Sequence, residues 1–161
     1  YLDNGGPRET SQRRLTAALA NEIVPGIATR LQILFEDLTP VYSAQGWPAV
    51  LERLDRHADA EGLDGAGREG LLNSFGYNLF NVYGPAAAQD PFRTNVERHA
   101  SSPNVHDSLG EAVWAGGDPL SALGHYQAAL ALDPGNPRIE SVIADLEQEI
   151  DAAAAAGPGE E

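Results

Sequence analysis

Small and aromatic residues recur at an offset of 34 positions in the C-terminal half of this chain. The matched pairs are Gly76 and Gly110, Ala88 and Ala122, and Phe92 and Tyr126. A repeat of this length has room for two antiparallel helices, and one such unit cannot bury its apolar face without a neighbour. Glycine on the first helix and alanine on the second let the two helices approach closely, while the aromatic ring fills the space beside them. The offset therefore predicts stacked helical hairpins.

The second copy of the repeat, residues 103–136, has the clearest pattern of helix, turn and stop. Residues 116–119, Gly-Gly-Asp-Pro, supply a turn with a capping aspartate and a proline for the first helical position. The first copy, residues 69–102, is looser, because Asn95 stands where alanine is usual. The pattern resembles the tetratricopeptide (TPR) family, with His106 and Val113 at two positions where that family has aromatic residues.

A last helix, residues 137–151, follows the two repeats without a partner of its own. Repeat arrays need such a capping helix to cover the apolar face of the final hairpin. We therefore expect a TPR-like domain over residues 69–151, made of two repeats and this cap. Residues 152–161 are rich in alanine and glycine and are predicted to be a flexible tail.

The residues before the repeats are also predicted to be helical, so the expected fold class is all-α, built from antiparallel helical hairpins. About three helices fill residues 1–62, a region that could be the end of a larger domain. They run from near Arg8 to Ile23, from Ile27 to Leu38 and from Trp47 to about residue 59, with a connector over residues 41–46 after Pro40. A glycine-rich break near residues 61–68 separates this region from the repeats.

Composition excludes several kinds of partner. The net charge is −14, and all ten basic residues are arginine. Such a chain repels phosphate backbones and anionic lipid headgroups, so nucleic acid and membranes are not expected partners. No apolar run reaches the roughly 18 residues that a membrane span needs. No signal peptide is visible, which makes a cytoplasmic location the expectation.

No motif in the sequence carries catalytic chemistry. There is no cysteine, and the GxSxG elbow, the P-loop and the GxGxxG fingerprint are all missing. The four histidines, His57, His99, His106 and His125, lack the spacing of metal ligands. Asp107 and Glu111 share a helix face, but an acidic chain produces many such pairs. We therefore expect no catalytic residue, no metal and no cofactor.

The first helix of each hairpin lines a concave groove in TPR arrays, so the resemblance implies a candidate partner-binding surface. The corresponding residues here are Asn73, Tyr77, Phe80, Asn81, Asn104, Asp107, Glu111 and Trp114. None of them is basic, so a clamp for a C-terminal carboxylate is not expected, and a basic or apolar peptide fits better. In the alternative, the aromatic residues of this set are buried against residues 1–60 and the repeats are a structural appendage.

The expected function is that of a noncatalytic helical module for protein–protein contact. Intramolecular docking, self-association and peptide binding are all compatible with the sequence, and docking is favoured because two repeats make a short groove. A second resemblance gives an alternative. The segment from Gly70 to Leu79, followed by residues 104–136, is similar to the C-terminal helical extension of bacterial esterases of the α/β-hydrolase class. It implies a carboxylic ester hydrolase whose catalytic residues lie outside this chain.

Overall fold

A computed structural model describes residues 27–156 of the chain, and these residues form seven α-helices and no strand. The helices are α1 (Ile27–Gln45), α2 (Trp47–Ala60), α3 (Gly65–Tyr83), α4 (Pro85–Arg98), α5 (Pro103–Ala115), α6 (Pro119–Leu132) and α7 (Pro137–Ala156). The prediction of an all-α fold is confirmed. The described part of the chain divides into two compact units after Ala44. None of the helices in the described range is long and apolar enough to cross a membrane.

Helix α1 continues through a proline that was expected to end it. The sequence predicted a helix ending before Pro40 and a connector over residues 41–46, and this was wrong, because α1 runs to Gln45. Leu38 and Val41 are both buried on either side of the proline, so the apolar stripe does not stop there. The Thr39 hydroxyl donates to the Phe35 carbonyl at 2.6 Å. The helix predicted from Arg8 to Ile23 lies outside the described residues.

Helices α3 to α7 form the hairpins that the repeat predicts. Helix α3 packs against α4 and α5 against α6, while α4 also contacts α5, and α6 contacts α7. Proline occupies the first turn of α2, α4, α5 and α6, where its missing N–H costs nothing. Asp118 caps α6 as predicted, with its side chain accepting from the Ser121 backbone N–H. Short turns therefore separate the antiparallel helices between Gly84 and Ala115.

The two helices of each hairpin touch where the repeat places its small residues. Ala88 and Ala122 are fully buried, and Gly76 lies directly against the ring of Phe92. Gly110 lies against the ring of Tyr126 in the second hairpin. Both aromatic side chains belong to the main hydrophobic core. A methyl group at Gly76 would overlap the Phe92 ring, and one at Gly110 would be in tight contact with the Tyr126 ring.

Helix α2 is attached to the first hairpin by specific side-chain contacts. The indole of Trp47 stacks on Phe75 with ring centroids 6.2 Å apart, and its N–H donates to Thr94 Oγ1 at 2.9 Å. The Arg98 guanidinium donates to both oxygens of Asp55, at 2.6 and 3.0 Å. Such two-point pairing orients a helix more firmly than a single contact does. Helix α2 therefore belongs to the same unit as the repeats.

Helix α7 covers the end of the second hairpin. Its residues Ile139 and Leu146 are buried in the main core. The helix extends to Ala156, so it includes the first part of the segment predicted to be a tail, and residues 157–161 lie outside the described range. The extents proposed for the individual repeats and domains stay predictions.

Candidate contact groove on the first helices of the hairpins

Helices α3, α5 and α7 are successive first helices of the array, and side chains make contacts from each of them to the next. Helices α5 and α7 begin at Pro103 and Pro137, which are 34 residues apart. Tyr77 and Glu111 have the same separation, and the Tyr77 hydroxyl donates to Glu111 Oε2 at 2.6 Å. This pair of positions, related by the repeat, therefore meets across α3 and α5.

Three of the eight predicted residues are aromatic, and their rings are half-buried in the structure. Tyr77 meets Phe92 edge-on at a centroid distance of 5.0 Å and lies 6.5 Å from Phe80. Trp114 meets Tyr126 edge-on at 6.5 Å. All three rings pack against the main core while keeping part of their surface exposed. They are therefore held in fixed positions and still offer an apolar surface to a partner.

The polar residues of the predicted set are tied into contacts that cross between helices. Asp107 forms an ion pair with Arg138 of α7, and the Trp114 indole N–H donates to Glu149 Oε2 of α7 at 2.8 Å. The Asn104 side chain donates to Glu69 Oε1 at 3.2 Å. These bonds link α5 to α3 on one side and to α7 on the other.

The two remaining asparagines, on α3, lie one turn before and one turn after Tyr77. Asn73 is half-buried, and its Oδ1 atom is buried without a hydrogen-bond partner. Asn81 is exposed near the C-terminal end of the helix. We call the surface formed by the eight predicted residues together with Arg138 and Glu149 the groove face. Its use as a binding surface stays a prediction.

Arg138 and Glu149 were missed in the sequence because the groove was taken to end with the second repeat. The third first helix, α7, contributes both of them. One signal was available: adding 34 to the position of Asn104 gives Arg138. The groove face therefore does contain one basic side chain, although it is paired with Asp107. No corresponding offset points to Glu149.

Burial controls the protonation of the central pair on the groove face. Desolvation and the neighbouring Glu111 carboxylate both raise the pKa of the Tyr77 hydroxyl, so it remains a hydrogen-bond donor. Desolvation is also the main cause that raises the pKa of Glu111, with a further contribution from Asp107. The bond from Tyr77 and the charge of Arg138 oppose that rise. Glu111 is therefore a carboxyl group whose ionised form is costly in the folded state.

Glu111→Gln is expected to change how the free energy of unfolding depends on pH. Because the pKa of Glu111 is raised in the folded state, its contribution to stability is fully present below the unfolded value of roughly 4.3 and is lost as pH rises through the folded value. Glutamine keeps an oxygen for Tyr77 but cannot ionise. Urea denaturation should show the variant gaining stability relative to wild type as pH rises through this window.

Glu97→Gln on α4 is the matched control, since it removes the same charge from an exposed position. If both variants change the pH profile equally, the effect belongs to the net charge of the chain and not to the burial of Glu111.

The groove face carries groups suited to non-covalent contact. It offers aromatic surfaces beside hydrogen-bond donors and acceptors. Among the residues from 27 to 156, no group of three or more histidine or carboxylate side chains is arranged to hold a metal ion. His106 Nε2 lies 3.0 Å from the Ala100 carbonyl, a local bond to the backbone.

Comparison with known proteins identifies the fold of the chain. No protein-family model matches it, and no curated protein matches it. Among solved structures, the first TPR of Spaghetti (RPAP3), bound to the HSP90 peptide SRMEEVD, is similar with a TM-score of 0.52 and 16% identity, over 76% of this chain and 94% of that chain. At this identity the likeness shows the fold alone, and it confirms the TPR-like arrangement. The esterase resemblance receives no support from these comparisons.

Proposed function

We propose that this chain is a noncatalytic TPR-like module that makes protein–protein contacts through its groove face. The occupant is a polypeptide segment, whether from the same chain, from a second copy or from a separate protein. The observation that carries this proposal is the state of Tyr77, Phe80 and Trp114. Each ring packs against the core and keeps part of its surface exposed.

Anchored and partly exposed aromatic rings are typical of residues that contribute most to protein interfaces. They bury a large apolar area on binding and lose little conformational freedom, because their positions are already fixed. The polar bonds across α3, α5 and α7 add to this, since they hold the three helices in register before a partner arrives. A surface of this kind supports binding without large rearrangement.

The charge of the groove face favours a different peptide from that of the structural neighbour. The neighbour is bound to the HSP90 peptide SRMEEVD, whose sequence contains three acidic residues. On this chain, Asp107, Glu111 and Glu149 bring negative charge to the groove face, against one arginine. An acidic peptide would be repelled here, so the proposal includes protein contact but not that particular class of ligand.

Site-specific photocrosslinking tests the proposed function. A benzoylphenylalanine residue is introduced at Phe80 by amber suppression, and the full chain is irradiated in cells and after purification. Phe80 is suited to this because the new side chain is also an aromatic ring and the position is half-buried. We expect the photoreactive residue at position 80 to form crosslinks to a polypeptide segment. Mass spectrometry of the products tells whether the crosslinked segment belongs to the same chain, a second copy or another protein.

The same photoreactive residue at Gln127, an exposed position on α6, is the control. A specific contact gives products from position 80 that position 127 does not give. Equal products from both positions, or products from neither, contradict the proposal. Light scattering on the purified chain adds the oligomeric state, which separates self-association from the other two modes.

A further inference from the structure

We propose that the groove face takes an extended segment of a separate protein that carries arginine or lysine, with the cationic group seated between Glu111 and Glu149 beside the Trp114 indole. This inference rests on the proposed function and specifies its partner. Glu111 and Trp114 are three residues apart on α5, so their side chains lie on one face of that helix. Glu149 Oε2 accepts from the same indole at 2.8 Å. One carboxylate thus shares a face of α5 with this indole, and a second accepts from its N–H group.

An indole with carboxylates nearby suits a cationic side chain. The face of tryptophan attracts a guanidinium or ammonium group, and the two carboxylates supply acceptors for its N–H groups. Neither carboxylate has a described ion-pair partner in residues 27–156. Arg138 acts on Glu111 only at a distance, because its guanidinium is engaged by Asp107. The site between Glu111 and Glu149 thus retains an excess of negative charge.

The groove face also has an excess of hydrogen-bond acceptors. Asn73 and Asp107 are one repeat apart, and the Oδ1 atom of each is buried without a hydrogen-bond partner. Arginine brings five N–H groups in a planar fork, which suits a face that carries the carboxylates of Asp107, Glu111 and Glu149.

Overall charge indicates that the cation comes from another protein. A second copy of this chain would bring a further net charge of −14, and the chain contains no lysine. Two such copies repel each other, whereas a basic segment is attracted from a distance and guided toward the groove face. The repulsion makes a second copy the less favourable occupant.

Fluorescence polarisation with two labelled probe peptides tests this inference. The first probe is Ala-Leu-Arg-Ala-Leu-Arg-Ala-Leu with blocked ends, and the second has citrulline at both arginine positions. Citrulline has nearly the same shape as arginine without the charge. The proteins are the wild type, the double variant Glu111→Gln/Glu149→Gln, and the double variant Asp90→Asn/Glu97→Gln. The last pair removes the same charge from exposed positions on α4.

We expect the arginine probe to bind the wild type at least about tenfold more tightly than the citrulline probe does, a difference of about 1.4 kcal/mol. The Glu111→Gln/Glu149→Gln variant should lose about tenfold in affinity for the arginine probe, and the α4 variant less than twofold. Both groove substitutions keep an oxygen for Tyr77 or Trp114. Circular dichroism confirms that the three proteins are equally folded.

Several results would overturn the inference. Equal losses in the two double variants would mean that the probe senses only diffuse charge. Equal binding of the two probes would mean that the groove face recognises a peptide by its shape and not by its charge. A dimer in light scattering that Glu111→Gln/Glu149→Gln dissociates would identify a second copy as the occupant. In each of these cases crosslinking from position 80 reports separately on the proposed function.

Discussion

Gly76→Ala is expected to lower the free energy of unfolding by about 2 kcal/mol. A methyl carbon at this position would lie 2.7 Å from Cδ1 and 2.9 Å from Cζ of Phe92, and closer still to Cε1. The Phe92 ring is fully buried in the main core, so relieving this overlap would require its neighbours to move. Overpacking of this kind costs about 3 kcal/mol, and the higher helix propensity of alanine returns about 1 kcal/mol. Urea denaturation measures the net loss.

Two further glycines provide matched controls for Gly76→Ala. No atom lies within 4 Å of the position that a methyl carbon would take at Gly124, so Gly124→Ala is expected to stabilise α6 by up to about 1 kcal/mol. At Gly110 the methyl carbon would lie 3.0 Å from Cδ2 and Cε2 of Tyr126, which predicts a smaller loss than at Gly76. From most to least stable, the three variants should be Gly124→Ala, Gly110→Ala and Gly76→Ala.

The cause of the loss at Gly76 can be isolated by removing the ring. In a Phe92→Leu background the obstacle is shorter, so Gly76→Ala should cost less than half of what it costs in the wild type. Residues in direct contact are expected to show such non-additive effects. If Gly76→Ala costs the same in both backgrounds, the penalty does not arise from contact with Phe92.

Much of the fold could be predicted from the sequence because its determinants are local. Proline in the first turn and an aspartate cap mark the start of α6, and both signals lie within a few residues of the helix they start. The close contacts of Gly76 and Gly110 with aromatic rings were also predicted, since the repeat offset links small residues to the rings that pack on them. The proline and capping signals are local, whereas the repeat offset relates positions 34 residues apart by a regular spacing.

The features that could not be predicted depend on packing. Pro40 is a helix-stop signal in local terms, yet α1 continues through it between the buried side chains of Leu38 and Val41. On the groove face, the repeat offset accounts for the pairing of Tyr77 with Glu111. It does not account for the bond between Trp114 and Glu149, which are 35 residues apart. That bond is set by how α7 packs on α6, which no short pattern encodes.

Leu146→Ala is expected to lower the free energy of unfolding by about 3 kcal/mol. Leu146 is 0% exposed and lies in the main core, where α7 packs on the second hairpin. Truncating a buried leucine costs about 2–5 kcal/mol through lost apolar contact and the cavity that remains. Leu120→Ala is the control, because Leu120 is 69% exposed and its loss should change stability by no more than about 0.5 kcal/mol.

The effect of Leu146→Ala should be concentrated in α7, because a repeat array is held together by contacts between neighbouring helices. Hydrogen exchange should therefore accelerate first along α7 and much less in α3 and α4. Helix α7 also carries Arg138 and Glu149, so its undocking removes two side chains from the groove face. Binding of the arginine probe should weaken in step with the loss of protection in α7. Equal exchange in the Leu146→Ala and Leu120→Ala variants would show that the terminal helix does not depend on this contact.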